Sequence, residues 1–508
     1  MKFFKRQPSK KSEPSGSFDL SALSNRPILP SLQENVDMVL KTFYHTDDLK
    51  QKNMTIQRQN GSLLFLESLT DMEKVQKGIT HLSSLDPEGN GDSIYQKIGL
   101  RSETELQPIV EKLLKGYSIL LLDGTSEAII LDTNIQYNRS PEEPTNEKVV
   151  RGSHEGFVEN LVVNMNLIRK RIESPNLIVK QFTVGNITRT SVSVVYMQGI
   201  ADEVIVKEVE KRIQAINSDL IFSLGFVEEF LETSVTSPFP QMLNTERPDR
   251  VIANILEGRI AILGDGSPTA LILPINFFAF YQSPDDYNSR SIAGSFYRML
   301  RMFSFSIAVL LPATYIAIVS FHFEVIPGNL ILPVKGSLEN IPYQPLVEAL
   351  LMELIIELIR EAGIRLPTPI GQTIGIVGGL VIGESVVRAG LVSNLMVIVV
   401  ALTAISSFVI PSTEMNTSVR ILRFPFMIAA ASFGFFGIVF CIMILLIHLC
   451  KLESFGRAYF APLAPFNWKD MRDMLVRLPI WMQDERPKDA SPQKTKRGGM
   501  SRPWKQEK

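Results

Sequence analysis

The stretch IGQTIGIVGGLVIGESVVRAG, residues 370–390, carries glycines at 371, 375, 378, 379 and 383. Two readings compete for it: a phosphate-cradling loop or a membrane helix. A dinucleotide loop keeps its glycines in the turn between a strand and an amphipathic helix, with an acidic residue about 20 positions on. Here the glycines spread over more than three helical turns and are separated by Ile, Val and Leu. Gly371, Gly375, Gly379 and Gly383 recur at every fourth position. That is the small-xxx-small spacing by which membrane helices approach closely. The stretch therefore reads as a membrane helix with a packing face, and no nucleotide site is expected.

The opposite face carries Thr373, Val377, Val381, Glu384 and Arg388 at steps of four, four, three and four, so they form one stripe. Glu384 and Arg388 are spaced to pair at i,i+4. Two readings stay open. The pair marks a helix end at the headgroups, or the stripe lines a pore, with Val377 and Val381 as a hydrophobic constriction and Glu384 as a mouth charge.

Outward from this helix the chain divides sharply. Residues 302–321, 366–383, 391–413 and 425–450 contain no Asp, Glu, Lys or Arg. A bilayer core of about 30 Å needs roughly 20 apolar residues in a helix, so an integral membrane protein with a large soluble N-terminal half is expected. Net charge over the 508 residues is -1, which excludes a global basic field for nucleic acid. The basic N-terminus lacks an apolar run and is no secretory signal. Arg298 and Arg301 precede the first span, and residues 322–341 hold one Lys and no Arg. Positive charge stays inside, so the soluble half is placed in the cytoplasm. The tail after residue 450 has thirteen Lys/Arg against seven acids and belongs on the same side.

Residues 345–363, PLVEALLMELIIELIREAG, repeat Glu353, Glu357 and Glu361 every four residues, with Arg360 beside them. This acidic stripe fits an interfacial amphipathic helix or the wall of a water-filled cation path. Four spans keep both N-terminus and tail inside but leave Arg420 and Arg423 outside, against the charge rule. A spanning 345–363 helix would move those arginines inside and the tail outside. Four spans are the expectation.

In the soluble half, Gly116-YSILLLDGTSEAIIL aligns without gaps to Gly258-RIAILGDGSPTALIL. Each copy places Asp-Gly (123/124 and 265/266) between apolar runs, a strong hairpin signal. GDGSPTA lacks the Lys-Ser/Thr of a phosphate loop and reads as a plain turn. TDMEKVQKGI predicts a helix capped by Thr70 with Glu73 closing a capping box. SHEGFVENLVVNMNLIRKRI predicts one long helix, and Thr245 is a plausible N-cap ahead of Pro248. Five scattered histidines, and Cys441 and Cys450 too far apart on one helix to pair, leave no metal, cofactor or catalytic site. Cys441 and His448 share a face, read as packing.

The fold expected is α+β plus membrane: two tandem α/β subdomains, then an α-helical transmembrane domain of about four spans plus one amphipathic helix. Its boundaries are 1–30 (disordered, basic), 31–145 and 146–290 (soluble subdomains), 291–455 (transmembrane) and 456–508 (basic tail). This is no enzyme; it reads as a sensing or assembly module.

Several long blocks carry a family resemblance: EGFVENLVVNMNLIRKRI, SPFPQMLNTERPDRVIANILEGRIAILGDGSPTALILP, SFYRMLRMFSFSIAVLLPATYIAIVSFH, and the run from PLVEALLMELIIELIREAG through ALTAISSF. From about residue 60 to 460 the chain resembles the GerA-type spore germination receptor A subunit. The resemblance implies a place in the spore inner membrane, in contact with lipid. It implies a polytopic B subunit that binds the nutrient and a lipoprotein C subunit as partners. It further implies an oligomer, pentameric in the family, that acts as a ligand-gated channel for monovalent cations. Pro238-Phe239-Pro240-Gln241 and the glycine-rich helix match family elements; the resemblance assigns no individual pore residue. A secondary transporter would show repeated transmembrane halves, and none is evident. A non-conducting scaffold stays open as the alternative.

Overall fold

A computed structural model describes residues 23, 26–56, 59–83, 101–135, 143–339, 341–367, 379, 381 and 383–497. Residues 1–22 of the basic N-terminal stretch lie outside the described residues. The chain is α+β. Its first half holds two five-stranded sheets in which every strand pair is antiparallel.

The first sheet contains β1 (Leu49–Ile56), β2 (Gln59–Leu66), β3 (Arg101–Glu103), β4 (Ser118–Leu122) and β5 (Ala128–Leu131), in the order β1-β2-β4-β5-β3. The second contains β6 (Leu177–Val184), β7 (Thr190–Met197), β8 (Leu243–Thr245), β9 (Ile260–Gly264) and β10 (Ala270–Leu273), in the order β6-β7-β9-β10-β8. The orders are the same strand for strand. With them go helices α1 (Leu32–Thr42), α2 (Met72–Ser83), α3 (Leu106–Leu114), α4 (Leu161–Arg169), α5 (Glu203–Gln214), α6 (Leu224–Leu231) and α7 (Pro248–Glu257).

The sequence repeat occupies the equivalent hairpin in each sheet, β4-β5 and β9-β10. Gly124 and Gly266 take φ of +80° and +77° in the turns, a region that favours glycine. The turn aspartates do the same job twice. Asp123 Oδ1 accepts the Leu32 N–H at 3.3 Å and Asp265 Oδ1 that of Leu161 at 3.2 Å, each at a helix start. Asn35 clasps both backbone groups of Leu29 at 2.9 and 2.6 Å, as Asn164 does those of Val158 at 2.8 and 2.5 Å. The repetition thus extends to α1 and α4, where the sequence trace is Leu-x-x-Asn with a lysine six residues on, Lys41 and Lys170.

Three local expectations are corrected. Asp71, not Thr70, caps α2: its Oδ1 accepts the Glu73 N–H at 2.9 Å, while the Thr70 hydroxyl is buried without a partner. The long helix over 153–172 is short, because Asn160 caps α4 at Val162 and Val163 and the chain before it is extended or bent. Thr245 belongs to β8 and accepts the Arg247 N–H at 3.2 Å, and α7 starts at Pro248.

Asp48 and Arg169 join the two sheet units through a buried ion pair at 2.9 Å. Asn166 adds a bond to the Ser68 carbonyl at 2.8 Å, and Thr46 bonds Val179 of β6. The second sheet then runs into the helical half without a break. Phe277, Phe278, Phe280 and Tyr281 are buried in one apolar core that also contains Leu263 and Ile272 of the sheet and Ala308, Met352, Met396 and Met427 of the helices.

After α8 (Pro284–Asn288) come α9 (Ser291–Phe321), α10 (Gly328–Leu338), α11 (Pro345–Arg365), α12 (Asn394–Phe408), α13 (Thr413–Phe433) and α14 (Phe435–Lys451). Among the described residues α9 alone is long and apolar enough to cross a bilayer by itself. The expected last span, 425–450, is two helices. The chain reverses at Gly434, φ +58° and ψ -138°, so that Cys441 Sγ lies 3.9 Å from the Pro425 carbonyl. Only glycine tolerates that reversal, because the His322 ring would meet any Cβ there at 2.6 Å.

Contacts set the helix directions. Helix α9 leaves the second sheet unit through Arg298 and Arg301, which pair with Asp473 and Asp286 at 3.2 and 2.7 Å, and ends where His322 packs on Phe435. Helix α13 runs the same way, since Ser418 near its start bonds the Pro238 carbonyl. Helix α14 returns, and His448 bonds Ser237 at 2.9 Å. Helices α11 and α12 both run toward the sheets: Glu348 and Ser393 meet at their starts, Arg360 and Ser407 near their ends. Beyond α14 the chain closes back on the second sheet unit. Asp489 pairs with Arg259 at 2.7 Å, Arg486 donates to the Leu256 carbonyl at 2.7 Å, and the Gln493 N–H reaches Ile200 at 2.8 Å. The tail and the sheets therefore lie on one side of the helical bundle.

Candidate functional site

The acidic stripe of α11 is matched by arginines. Glu353 and Arg423 form a buried pair with 5% and 4% of their side chains exposed, and Arg423 Nε also donates to the Ala308 carbonyl at 3.0 Å. Glu357 pairs with Arg420 and lies 3.6 Å from Arg360. Glu361 pairs with Arg365 at 2.6 Å on the exposed surface. The Arg360 guanidinium stacks over the Phe408 ring at 4.6 Å. Charge thus grades along the helix, from a desolvated pair at Glu353 to half-exposed carboxylates at Glu357 and Glu361. The buried pair fastens α11 to α13 and α9. Removing one partner would strand the other charge out of water, which is why such pairs are costly to break.

Glu348 extends this set and did not stand out in the sequence. It is 1% exposed and accepts the Ser393 N–H at 3.0 Å, which ties the start of α11 to the start of α12. A single glutamate outside the four-residue repeat carries no signal without its partner.

The glycine-rich helix contrasts with this. Gly371, Thr373, Gly375 and Val377 lie outside the described residues. Val381 is 52% exposed, and an added Cβ at Gly379 or Gly383 would meet nothing within 4 Å. Glu384 and Arg388 pair at 2.6 Å with both side chains in the open. Among the described residues nothing lies against Gly379 or Gly383, while Val386 of the same helix packs against the core.

The loop 237–241 forms the junction between sheets and helices. The Phe239 ring is buried, stacks 6.0 Å from His448 and also meets Phe277 and Tyr459. Ser237 holds His448, Pro238 accepts from Ser418, and the Gln241 side chain accepts the Thr233 and Ser234 N–H groups at 3.1 and 3.0 Å. Ser454, just past α14, donates to the Gln241 carbonyl at 2.8 Å. One short loop therefore touches α13, α14 and the start of the tail. Its proline spacing marks it as a loop; its partners are far away in sequence.

Beside the loop lies a cleft of about 390 Å³ lined by Glu228, Glu229 and Glu232 of α6 and by Glu414 and Thr417 of α13. Burial, then the neighbouring Glu414 and Glu232 carboxylates, push Glu228 up to about 8. Among the described residues no group of three or more His, Cys, Asp or Glu is placed to hold a metal ion. His448 and Cys441 each have other neighbours.

Comparison with known proteins bears on this arrangement. Residues 37–489 match the family model described as Bacillus/Clostridium GerA spore germination protein. The chain is 39% identical to spore germination protein KA of Bacillus subtilis over 497 residues, 94% of this chain and 90% of that protein. It is 38% identical to the Bacillus subtilis membrane protein YfkQ, covering 92% and 93% of the two chains. Among solved structures, the N-terminal domain of the A subunit of the Bacillus megaterium spore germinant receptor GerK3 shares 26% identity at a TM-score of 0.38, over 50% of this chain and 98% of that one.

Proposed function

We propose that this chain, which belongs to the Bacillus/Clostridium GerA spore germination protein family, is the A subunit of a nutrient germinant receptor in the spore inner membrane. Several copies form a ligand-gated channel for monovalent cations, alongside a nutrient-binding B subunit and a lipoprotein C subunit. It acts in germination as a receptor component and not as an enzyme.

In this reading the chain crosses the membrane six times, through α9, α11, the glycine-rich helix, α12, α13 and α14. Contact between tail and sheets calls for an even number of crossings. Counting α11 and splitting 425–450 at Gly434 meets that condition. It also brings Arg420 and Arg423 to the cytoplasmic side, which removes the conflict with the positive-inside rule left by four spans. Sheets and tail then face the spore core.

The observation that supports the channel most is the open space beside Gly379 and Gly383 among the described residues, on a helix that meets the core at Val386. Among the described residues nothing lies against Gly379 or Gly383 and Val381 is half-exposed, which suits a helix that packs on further copies around an axis. Thr373, Val377, Val381, Glu384 and Arg388 are assigned to the pore side and Gly371, Gly375, Gly379 and Gly383 to the packing side. Glu357 and Glu361, half-exposed, serve at the cytoplasmic end as the carboxylates that concentrate cations.

Liposome flux measurements with the purified protein test this. Val377→Ala should wet a hydrophobic neck and give leak, Val377→Phe should block flux, and Gly379→Leu should lower assembly without unfolding the chain. Wild-type behaviour in both Val377 variants would remove this helix from the pore. The arginine-matched stripe favours one second reading, a non-conducting scaffold; absence of flux from wild-type assemblies would establish it.

A further inference from the structure

The acidic cleft at the sheet–helix junction has a composition that packing alone does not require. Its lining residues are Gly225, Glu228, Glu229 and Glu232 on α6, Ser237 to Pro240 on the loop, and Glu414, Thr417 and Ser418 on α13. No cation lines it. Two arginines on or beside these elements are paired with other groups: Arg420 with Glu357 and, at the cleft edge, the Thr417 hydroxyl, and Arg212 of α5 with Glu208, the Leu231 carbonyl and Thr233. From α14, His448 faces the loop but is held by Ser237. One Glu414 carboxylate oxygen is buried with no hydrogen-bond partner. The Asn244 side chain hydrogen-bonds Glu414, and Glu232 and Glu147 act on it from the sheet side, Glu147 being itself paired with Arg250 at 2.5 Å. Two helices from different halves of the molecule thus present carboxyl groups to each other across the loop that joins those halves.

We propose that Glu228 and Glu414 form a proton-dependent latch between the sheet unit and α13. With one proton between them, the Glu228 carboxyl donates to the Glu414 carboxylate and holds the 237–241 loop on the helices. When that proton leaves for solvent, two anions face each other with no cation beside them, and repulsion loosens the loop from Ser418 and His448. The latch requires no ion conduction, so it stands or falls separately from the channel reading.

The sign of the pH effect follows from linkage. Glu228, raised to about 8 in the closed state from an ordinary 4.5, binds more protons closed than open between those values. Closure therefore weakens as pH rises, and the loss is complete above about pH 8. Between pH 6.5 and pH 9 the closed-to-open ratio should fall on the order of 30-fold for one such group.

Amide hydrogen exchange on the full chain in lipid nanodiscs reads this directly. Protection in peptides covering 231–245 and 411–420, corrected for intrinsic exchange, should drop by that factor in wild type. Glu228→Gln, which stays neutral and keeps a donor, should hold the same segments protected at both pH values. Glu414→Gln removes the neighbouring carboxylate and should reduce the response, leaving the part that burial of Glu228 sets, even if Glu228→Gln does not fold. Glu229→Gln, at the exposed rim, should retain the wild-type response. Unchanged wild-type protection across this range would overturn the latch, as would a full pH response in both Glu228→Gln and Glu414→Gln.

Discussion

Glu353–Arg423 and Glu384–Arg388 are the same pair of residue types in opposite settings. The first joins two helices 70 residues apart in sequence and is almost wholly buried. The second joins adjacent turns of one helix and is 54% and 79% exposed. Charge in the first position has become architecture, since its Coulombic gain and its desolvation cost are both large. In the second position water screens the pair, and its worth to folding is small. Ionisable residues in an apolar helix are usually read as functional. The contrast shows that this reading needs the partner before it can be applied, because Glu353, which spacing offered as part of a cation path, is already neutralised by Arg423.

Breaking the buried pair should have the largest effect. Glu353→Ala is expected to cost about 3–5 kcal/mol, read as a sharp fall in thermal stability in detergent and in membrane abundance. Replacing both partners with apolar residues, Glu353→Leu with Arg423→Met, should recover much of that loss. A double variant as unstable as the single one would show that the pair does more than neutralise itself.

Next in size is a glycine comparison. A Cβ at Gly437 would lie 2.0 Å from the Ala429 carbonyl oxygen, where α13 and α14 turn back on each other, whereas one at Gly379 would meet nothing within 4 Å among the described residues. Gly437→Leu should destabilise the single chain by about 1–3 kcal/mol, the usual range for overpacking. Gly379→Leu should leave the melting of the unassembled chain unchanged and reduce oligomer yield. Equal melting shifts in the two variants would mean that Gly379 is covered within the chain after all.

The smallest effect on stability is expected at the exposed pair. Glu384→Gln should change stability by less than about 0.5 kcal/mol, the scale of an exposed i,i+4 pair. If Glu384 is a mouth charge, the same variant lowers cation flux at low salt and less so at high salt. A loss of stability like that of Glu353→Ala would show that exposure does not separate the two pairs.

Much of the first half was readable along the chain. The Asp-Gly turns, the glycines flanking them and the apolar runs lie close together, and local sterics and period-two burial act over a few residues. The matching strand orders followed from that repeat, but the Asn35 and Asn164 clasps did not, because Leu-x-x-Asn is too short to register against 508 residues. In the helical half, hydropathy marked apolar segments and spacing marked the faces of α11 and the glycine-rich helix. Tertiary structure decided the rest. An apolar run from 425 to 450 carries no sign of direction; it reverses where Gly434 takes φ +58° beside the His322 ring. Arg420 and Arg423 looked like misplaced charges until α11 lay beside them. The loop at 237–241 became a junction only when α13, α14 and the tail closed on it. Periodicity and turn chemistry are local and survive in one dimension. Pairing across many tens of residues depends on which surfaces meet, and that is settled by packing the whole chain.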